Sequence, residues 1–522
     1  MWAIRVGAAI RVALTIDIFF IKPYALPTAM AKKTTDIRVR YAPSPTGSLH
    51  IGGLRTALYN ELFARRHGGT FILRIEDTDR ERLVEGAAQG LIQSLERCGV
   101  VADEGMVIKP NGSLGEQGDA GPYLQSLRKD LHRAYANKLV GAGKAYPCFC
   151  TELELKKMRN EQQASGLPTR YDRRCRDLST ERAQKRIEAG DEHVIRLKIP
   201  LKGTLTFTDI IRGEISFDWK QIDDQVIIKS DGMPTYHLAA TCDDHDMRIS
   251  HVIRGDEWLA STPKHLFIYE SLDWTPPQFA HVPLLLNTDR SKLSKRQGDV
   301  AVEDYLAKGY LPAALINFVA MLGWNPTSDR EIYTHEELRR LFDLTKVNSS
   351  GAVVNMEKMD WMNHQYMRAL KEEDYLQLAG ERLRHLTDDH VLSDRVALLV
   401  RERVSKLADL AELAEPYLKT VSEIDLAILP WKTQPTKDVQ EKLQTLTHTL
   451  EQTDVATWES PMLLEAFVKN LIASKQWGNG EALWPLRVAL SGQKQSPGPF
   501  ELLWALGRDR ALERLRKTLS LL

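Results

Sequence analysis

Residues 40–60 read RYAPSPTGSLHIGGLRTALYN. An apolar run from Ile37 to Tyr41 suits a strand, and Pro43 and Pro45 must end it, because proline cannot sit inside a central strand. Gly47 supplies a turn. After His50-Ile51-Gly52-Gly53, Leu54, Leu58 and Leu62 recur on one helical face. The order is therefore strand, tight loop, helix N-terminus. Such an end presents unpaired backbone N–H groups and the positive end of the helix dipole, which favour a phosphate. Gly52 and Gly53 carry no Cβ, so a ligand can approach the backbone there, with His50 as a donor beside it. The pattern is not the dinucleotide fingerprint, whose three glycines fall at other offsets.

A second segment, Ser291-Lys292-Leu293-Ser294-Lys295-Arg296, is small, polar and strongly basic. Taken alone, such a charge run is usually a solvated face. Thr70 to Ile75 reads as a second strand, ending at Glu76, Asp77 and Asp79. Strand–helix alternation implies a parallel sheet with ligands at the carboxyl ends of its strands. Arg40 and Glu76 fall near two such ends, where one can meet a carboxylate and the other an ammonium.

The two segments, in this order, resemble the two signatures of the class I glutamyl-tRNA synthetases. Further similar stretches are IEDTDR (75–80), GPY (121–123), DGMPTY (231–236), VIRGDE (252–257) and NMEKMDWMNHQYMR (355–368). The resemblance runs from Asp36 onward. It implies an α/β Rossmann-like class I catalytic domain with an inserted α+β acceptor-binding domain, followed by an all-α anticodon-binding region. The expected parts are 36–147 and 222–285 for the catalytic domain and 148–221 for the insertion. A 286–370 stem-contact region with the lysine loop and a 371–522 anticodon-binding region follow.

The resemblance also implies roles. His50, Gly52 and Gly53 seat ATP, with Glu257, Trp258, Lys292 and Lys295 also on the nucleotide. Lys295, assisted by Lys292 and His50, serves the adenylation step. Arg40, Ser44, Glu76, Tyr236 and Arg254 hold glutamate. The expected partners are ATP with Mg2+, L-glutamate and tRNA(Glu), and the expected state is a monomer without membrane contact. Ala240 stands where the family commonly has a polar residue, often asparagine, which removes one expected hydrogen bond. Glutaminyl-tRNA synthetases share both signatures but end in a β-barrel, whereas this chain is leucine-patterned and helical after Lys371. The nucleoside-modifying paralogue lacks an anticodon region. A binding protein without activity has no reason to keep Lys292 and Lys295.

Bulk properties agree without deciding. The 522 residues suit about three or four domains of ~150 residues. Lys plus Arg and Asp plus Glu are 70 each, so nucleic-acid binding must rest on local patches. The arginines at 508, 510, 514 and 516 and Lys517 form one such cluster, read as a solvated helix face rather than an anticodon contact. Five cysteines are no disulfide framework, but Cys148, Cys150 and Cys175 are spaced to hold zinc in a reducing cytoplasm. A structural zinc wants four ligands, and the fourth here is Asp177 or Tyr171. Some bacterial members of the resembled family carry zinc at this place, with histidine or tyrosine as that ligand.

Residues 1–29 are apolar with Arg5, Arg11, Asp17 and Lys22, and the run 13–21 is too short to span a bilayer. They read as an upstream extension or a mis-assigned start before Met30, and the alternative is an organellar transit peptide. Val101 to Gly121, rich in glycine, is expected as a loop. Gly121 to Gly143 is expected as a helix packing Leu124, Leu127, Leu131, Tyr135 and Leu139 on the sheet. His193 to Ile228 is expected as a small mixed sheet, with the catalytic sheet resuming at Val226.

Overall fold

A computed structural model describes residues 36–293, 301–327, 329–418 and 424–522. The upstream extension and Lys295 fall outside them. The leading strand β1 (Arg38–Tyr41) runs into α1 (Ile51–His67) and β2 (Thr70–Leu73), then α2 (Ala87–Arg97) and β3 (Glu104–Ile108). These strands are parallel, in register Arg40↔Ile72 and Ile72↔Glu104, and β4 (Leu114–Gln117) closes the edge antiparallel to β3. The expected loop 101–121 is thus a hairpin. Gly105 explains the misreading. Its φ is +124°, and a Cβ there would sit 2.1 Å from Leu73 O, so glycine lets β3 lie against β2.

Gln125–Arg128 is a 3₁₀ turn, and α3 begins only at Lys129 and ends at Gly141. The face expected inside is partly outside: Leu127 is 64 % and Leu131 37 % exposed, while Gln125, Arg128 and His132 are buried. The reason is a buried carboxylate, Asp243, which accepts from Arg128 Nε (2.6 Å) and Gln125 Nε2 (2.8 Å) and bonds His132 Nε2 (2.7 Å). A charge without water must be paired, and it draws the polar stripe inward.

The insertion begins with β5 (Ala145–Cys148), α4 (Glu152–Ala164), α5 (Thr180–Glu188) and β6 (Val194–Leu197). A hairpin, β7 (Thr204–Asp209) and β8 (Gly213–Asp218), and a short strand β9 (Val226–Ile228) follow. They do not form one small mixed sheet. The order β5-β6-β9 is an antiparallel sheet, so Val226 pairs with the insertion and does not resume the catalytic sheet. The catalytic half resumes with α6 (Tyr236–Asp246), β10 (His251–Gly255), α7 (Thr262–Ser271) and β11 (Gln278–Val282). Strand β10 is parallel to β11, and β7 joins β11 at Phe279↔Asp209. Ser250 N–H donates to Arg38 O at 2.9 Å, which sets β10 beside β1.

One apolar core runs from Val39 to Met362, so residues 302–362 share it with the catalytic half. A second core runs from Met367 to Leu515. Helices fill that region from Glu372–Leu383 to Pro499–Leu519, with no strand among the described residues. The late arginines are tied down: Arg516 pairs with Glu451 at 2.6 Å, Arg510 with Asp389, and Arg514 donates to Leu490 O at 2.6 Å. Among the described residues, no helix is long and apolar enough to cross a membrane.

Candidate active site

A cavity of about 890 Å³ opens at the carboxyl ends of β1 and β10 and the N-terminus of α1. Arg40, Ser44, His50, Gly52, Gly53 and Glu76 line it, as do Tyr236, Arg254, Glu257, Trp258 and Lys292. Every expected nucleotide and glutamate residue within the described residues is brought together there. Ala240, 2 % exposed in α6, is not among the lining residues. Arg55, Gln125 and Lys229 also line the cavity and were missed. Arg55 could have been noticed, since it stands one helical turn after the glycines.

His50 is the N-cap of α1, with extended backbone (φ −91°, ψ 159°), and its Nδ1 accepts from Gly53 N–H at 3.0 Å. The neutral ring therefore carries its proton on Nε2. No acidic residue stands in the first turn of α1, so the dipole's positive end is left for an anion. The two glycines differ in their reasons. A Cβ on Gly53 would lie 2.5 Å from Tyr41 Oη, so this glycine is required by packing against β1 rather than by ligand approach. Gly53→Ala is expected to lower stability by ~1–3 kcal/mol through overpacking. Adding Tyr41→Phe removes the clashing hydroxyl and should recover most of that loss. A double-mutant cycle of denaturation midpoints checks it, and strict additivity would refute the packing account.

Below the cavity floor lies a buried ionic network. Arg74, 0 % exposed, donates to Asp244 Oδ1 (2.8 Å) and Glu76 Oε1 (3.0 Å), and Arg40 Nε donates to the same Asp244 oxygen (3.0 Å). Arg40 and Glu76 are therefore not a direct pair but are joined through Asp244 and Arg74. Burial pushes the Glu76 carboxyl up, and the Arg74 guanidinium works against that shift. On the other wall the Arg254 guanidinium, 5 % exposed, donates to Tyr236 Oη at 3.2 Å. The Tyr236 ring packs on Trp258 with centroids 4.0 Å apart. Lys292 enters on a bridge to Leu286.

Away from the cavity, the sulfurs of Cys148, Cys150 and Cys175 lie within 4.8 Å of one another. Tyr171 Oη stands 3.2 Å from Cys148 Sγ and 3.5 Å from Cys150 Sγ. Asp177 is elsewhere. Its side chain is 89 % exposed and faces Lys198 at 3.7 Å, which corrects the expectation of Asp177 as fourth ligand. Residue spacing alone could not choose between the two, because the turn after Tyr171 folds the phenol back on the thiols. Hydrogen bonds from Cys175 and then Tyr171 hold the Cys148 thiol well below its ordinary value. The Arg196 guanidinium lies over the Tyr171 ring at 4.0 Å, beside the one thiol that is held down, while burial and hydrogen bonding push Cys150, Cys175 and Tyr171 up. Three thiols and a phenol at this spacing fit a tetrahedral zinc.

A glycine-bearing helix N-terminus at the ends of parallel strands, with Lys292 on the same cavity, is the arrangement of a class I nucleotide-binding crevice. Residues 36–361 match the model for the catalytic domain of tRNA synthetases class I (E and Q), and residues 359–519 match an anticodon binding domain. A glutamate–tRNA ligase of Finegoldia magna is 41 % identical over 93 % of this chain and 100 % of its own length. One of Dehalococcoides mccartyi is 44 % identical, covering 93 % and 98 %. The solved glutamate–tRNA ligase of Elizabethkingia meningosepticum, in complex with its amino acid, superposes with a TM-score of 0.83 at 35 % identity, covering 93 % of this chain and 99 % of the other. The chain belongs to the glutamate–tRNA ligase family of class I aminoacyl-tRNA synthetases.

Proposed function

We propose that the chain joins L-glutamate to the 3′ end of tRNA(Glu) at the expense of ATP. The glutamate α-carboxylate attacks the α-phosphate, pyrophosphate leaves, and the terminal ribose hydroxyl takes the glutamyl group with release of AMP. The observation that carries this reading is one cavity holding the His50–Gly53 turn, Lys292 and the Arg40–Glu76–Arg254 pocket together. His50 and the amides of the first turn seat the triphosphate, which brings Mg2+ with it. Glu257 and Trp258 flank the nucleotide, and Lys292 and Lys295 meet the charge growing on pyrophosphate. Arg40, Ser44, Glu76, Tyr236 and Arg254 hold the amino acid. Five reduced thiols suit a cytoplasmic setting.

Pyrophosphate exchange with glutamate or glutamine, with and without tRNA, tests the assignment. Exchange is expected with glutamate and tRNA together. Equal exchange with glutamine would refute it. Lys292→Ala should lower kcat by ~10²-fold, the usual cost of removing one group that stabilises developing charge. A Lys295→Ala variant with full activity would remove the assigned mechanism.

One structural zinc at Cys148, Cys150, Cys175 and Tyr171 belongs to the same proposal. It would tie the two ends of this subdomain together and take no part in the chemistry. Purified protein should hold one zinc per chain. Tyr171→Phe should lose it to a chelator faster than the parent, while Asp177→Asn should match the parent. Protein without stoichiometric metal would dismiss the site.

A further inference from the structure

The Arg254 guanidinium is framed by acceptors that carry no charge. Its Nε donates to His281 Nε2 (3.0 Å), one terminal nitrogen to His265 Nδ1 (3.1 Å) and Tyr236 Oη (3.2 Å), and the other to Thr262 Oγ1 (3.0 Å) and Trp258 O (3.3 Å). Arginine can only donate, so each imidazole nitrogen facing it must be the bare one. In His281 the proton is therefore on Nδ1, which donates to Asp209 Oδ2 at 2.7 Å. In His265 it is on Nε2, directed to His237 Nδ1 at 3.2 Å. His281 and Asp209 are both 0 % exposed. Burial, with Arg254 close by, holds both histidines neutral, His265 well below its ordinary range and His281 below it.

Asp209 thus fixes a tautomer, as the aspartate of a hydrolase triad does for its histidine. The carboxylate stands one imidazole away from Arg254 rather than on it. Were it in direct contact, the guanidinium charge would already be spent within the protein. Held as it is, all five N–H groups of the guanidinium are engaged by neutral acceptors and its charge stays uncompensated, so a carboxylate in the cavity would take the place of the longer contacts on the cavity side, Trp258 O (3.3 Å) and Tyr236 Oη (3.2 Å). A carboxamide in the same place would leave that charge unmatched, and a site with an unmatched buried group rejects its ligand strongly.

We propose that His281 and Asp209 are positioning residues that hold Arg254 for the side-chain carboxylate of the amino acid and set its preference for glutamate over glutamine. The inference rests on the pocket assignment above. Neither residue lines the cavity, so both act through Arg254.

Two substitutions at one position separate positioning from bulk packing. In His281→Gln the amide oxygen can take the place of Nε2 and still accept from Arg254. In His281→Asn the amide nitrogen can still donate to Asp209, but the acceptor for Arg254 is gone. The expected result is a KM for glutamate raised ~10-fold or more in His281→Asn, with kcat and the KM for ATP near parental values. That shift corresponds to the net worth of one charged hydrogen bond. His281→Gln should stay within ~3-fold of the parent. Asp209→Asn can donate to His281 Nδ1, which moves the ring proton to Nε2 against Arg254. It should reproduce the His281→Asn phenotype and raise the ratio of glutamine to glutamate use. Equal damage from both His281 variants, or an unmoved glutamate KM in His281→Asn and Asp209→Asn, would overturn the proposal. If His281→Asn fails to fold, Asp209→Asn against His281→Gln carries the same comparison; if His281→Gln fails, the split between glutamate and ATP KM in the other two against the parent decides. Parent protein that charges tRNA normally while the variants leave KM unmoved would refute this inference alone. Parent protein without glutamate-dependent exchange would refute the pocket assignment itself.

Discussion

Arg254→Gln is expected to lower kcat/KM for glutamate by ~10²–10³-fold, equivalent to roughly 3–4 kcal/mol and typical of removing one partner of a desolvated charge pair. Two losses combine. The substrate carboxylate loses its cation, and the groups that Arg254 satisfies, among them His281 Nε2, His265 Nδ1 and Thr262 Oγ1, lose their donor. Glutamine cannot supply five donors in a planar fork. Lysine keeps the charge but not the fork, so Arg254→Lys should fall between parent and Arg254→Gln. The loss should appear in the KM for glutamate and leave the KM for ATP nearly unchanged, because the triphosphate end of the cavity is built on α1. A variant that binds glutamate as the parent does would remove Arg254 from the pocket.

Arg74→Met should be the most damaging single change to stability, at ~3–5 kcal/mol. Arg74 is fully buried and is the shared partner of Asp244 and Glu76. Its removal leaves two carboxylates desolvated with one cation, Arg40, still bonded to Asp244. The effect has a sign in pH. Burial already raises the Glu76 carboxyl above its ordinary value, so the folded state binds its proton more tightly than the unfolded chain. Stability from this group is therefore present at low pH and lost as pH rises past the ordinary carboxylate value. Without Arg74 that upward shift grows, so the deficit of the variant should widen with rising pH over that range. Urea unfolding of parent and variant at several pH values measures this. A gap that narrowed with rising pH would contradict it.

The candidate site was legible because its residues are written in contiguous stretches. A turn before a helix and a lysine segment each carry their geometry locally, and eleven of the expected residues converge on one cavity. What escaped was everything decided by distant partners. Gln125, Arg128 and His132 look like an exposed stripe until Asp243, more than a hundred residues on, draws them inward. Asp209 and His281 are 72 residues apart and belong to no motif. Gly105 looks like a loop residue until Leu73 O is seen where a side chain would be. Tyr171 and Asp177 are equally plausible ligands by spacing, and only the fold of the intervening turn separates them.

The hairpin 204–218 lies within the inserted segment by sequence, yet it docks on the catalytic strand β11 and supplies the aspartate behind the pocket arginine. Excising 148–221 as a self-contained module would therefore also remove the strand that pairs with β11 and the carboxylate that holds His281. A deletion that spared 204–218 should retain glutamate affinity in a direct binding measurement, and one that removed it should not. For the same reason, exchanging this segment between homologues would carry the partner of His281 along with the rest of the insertion.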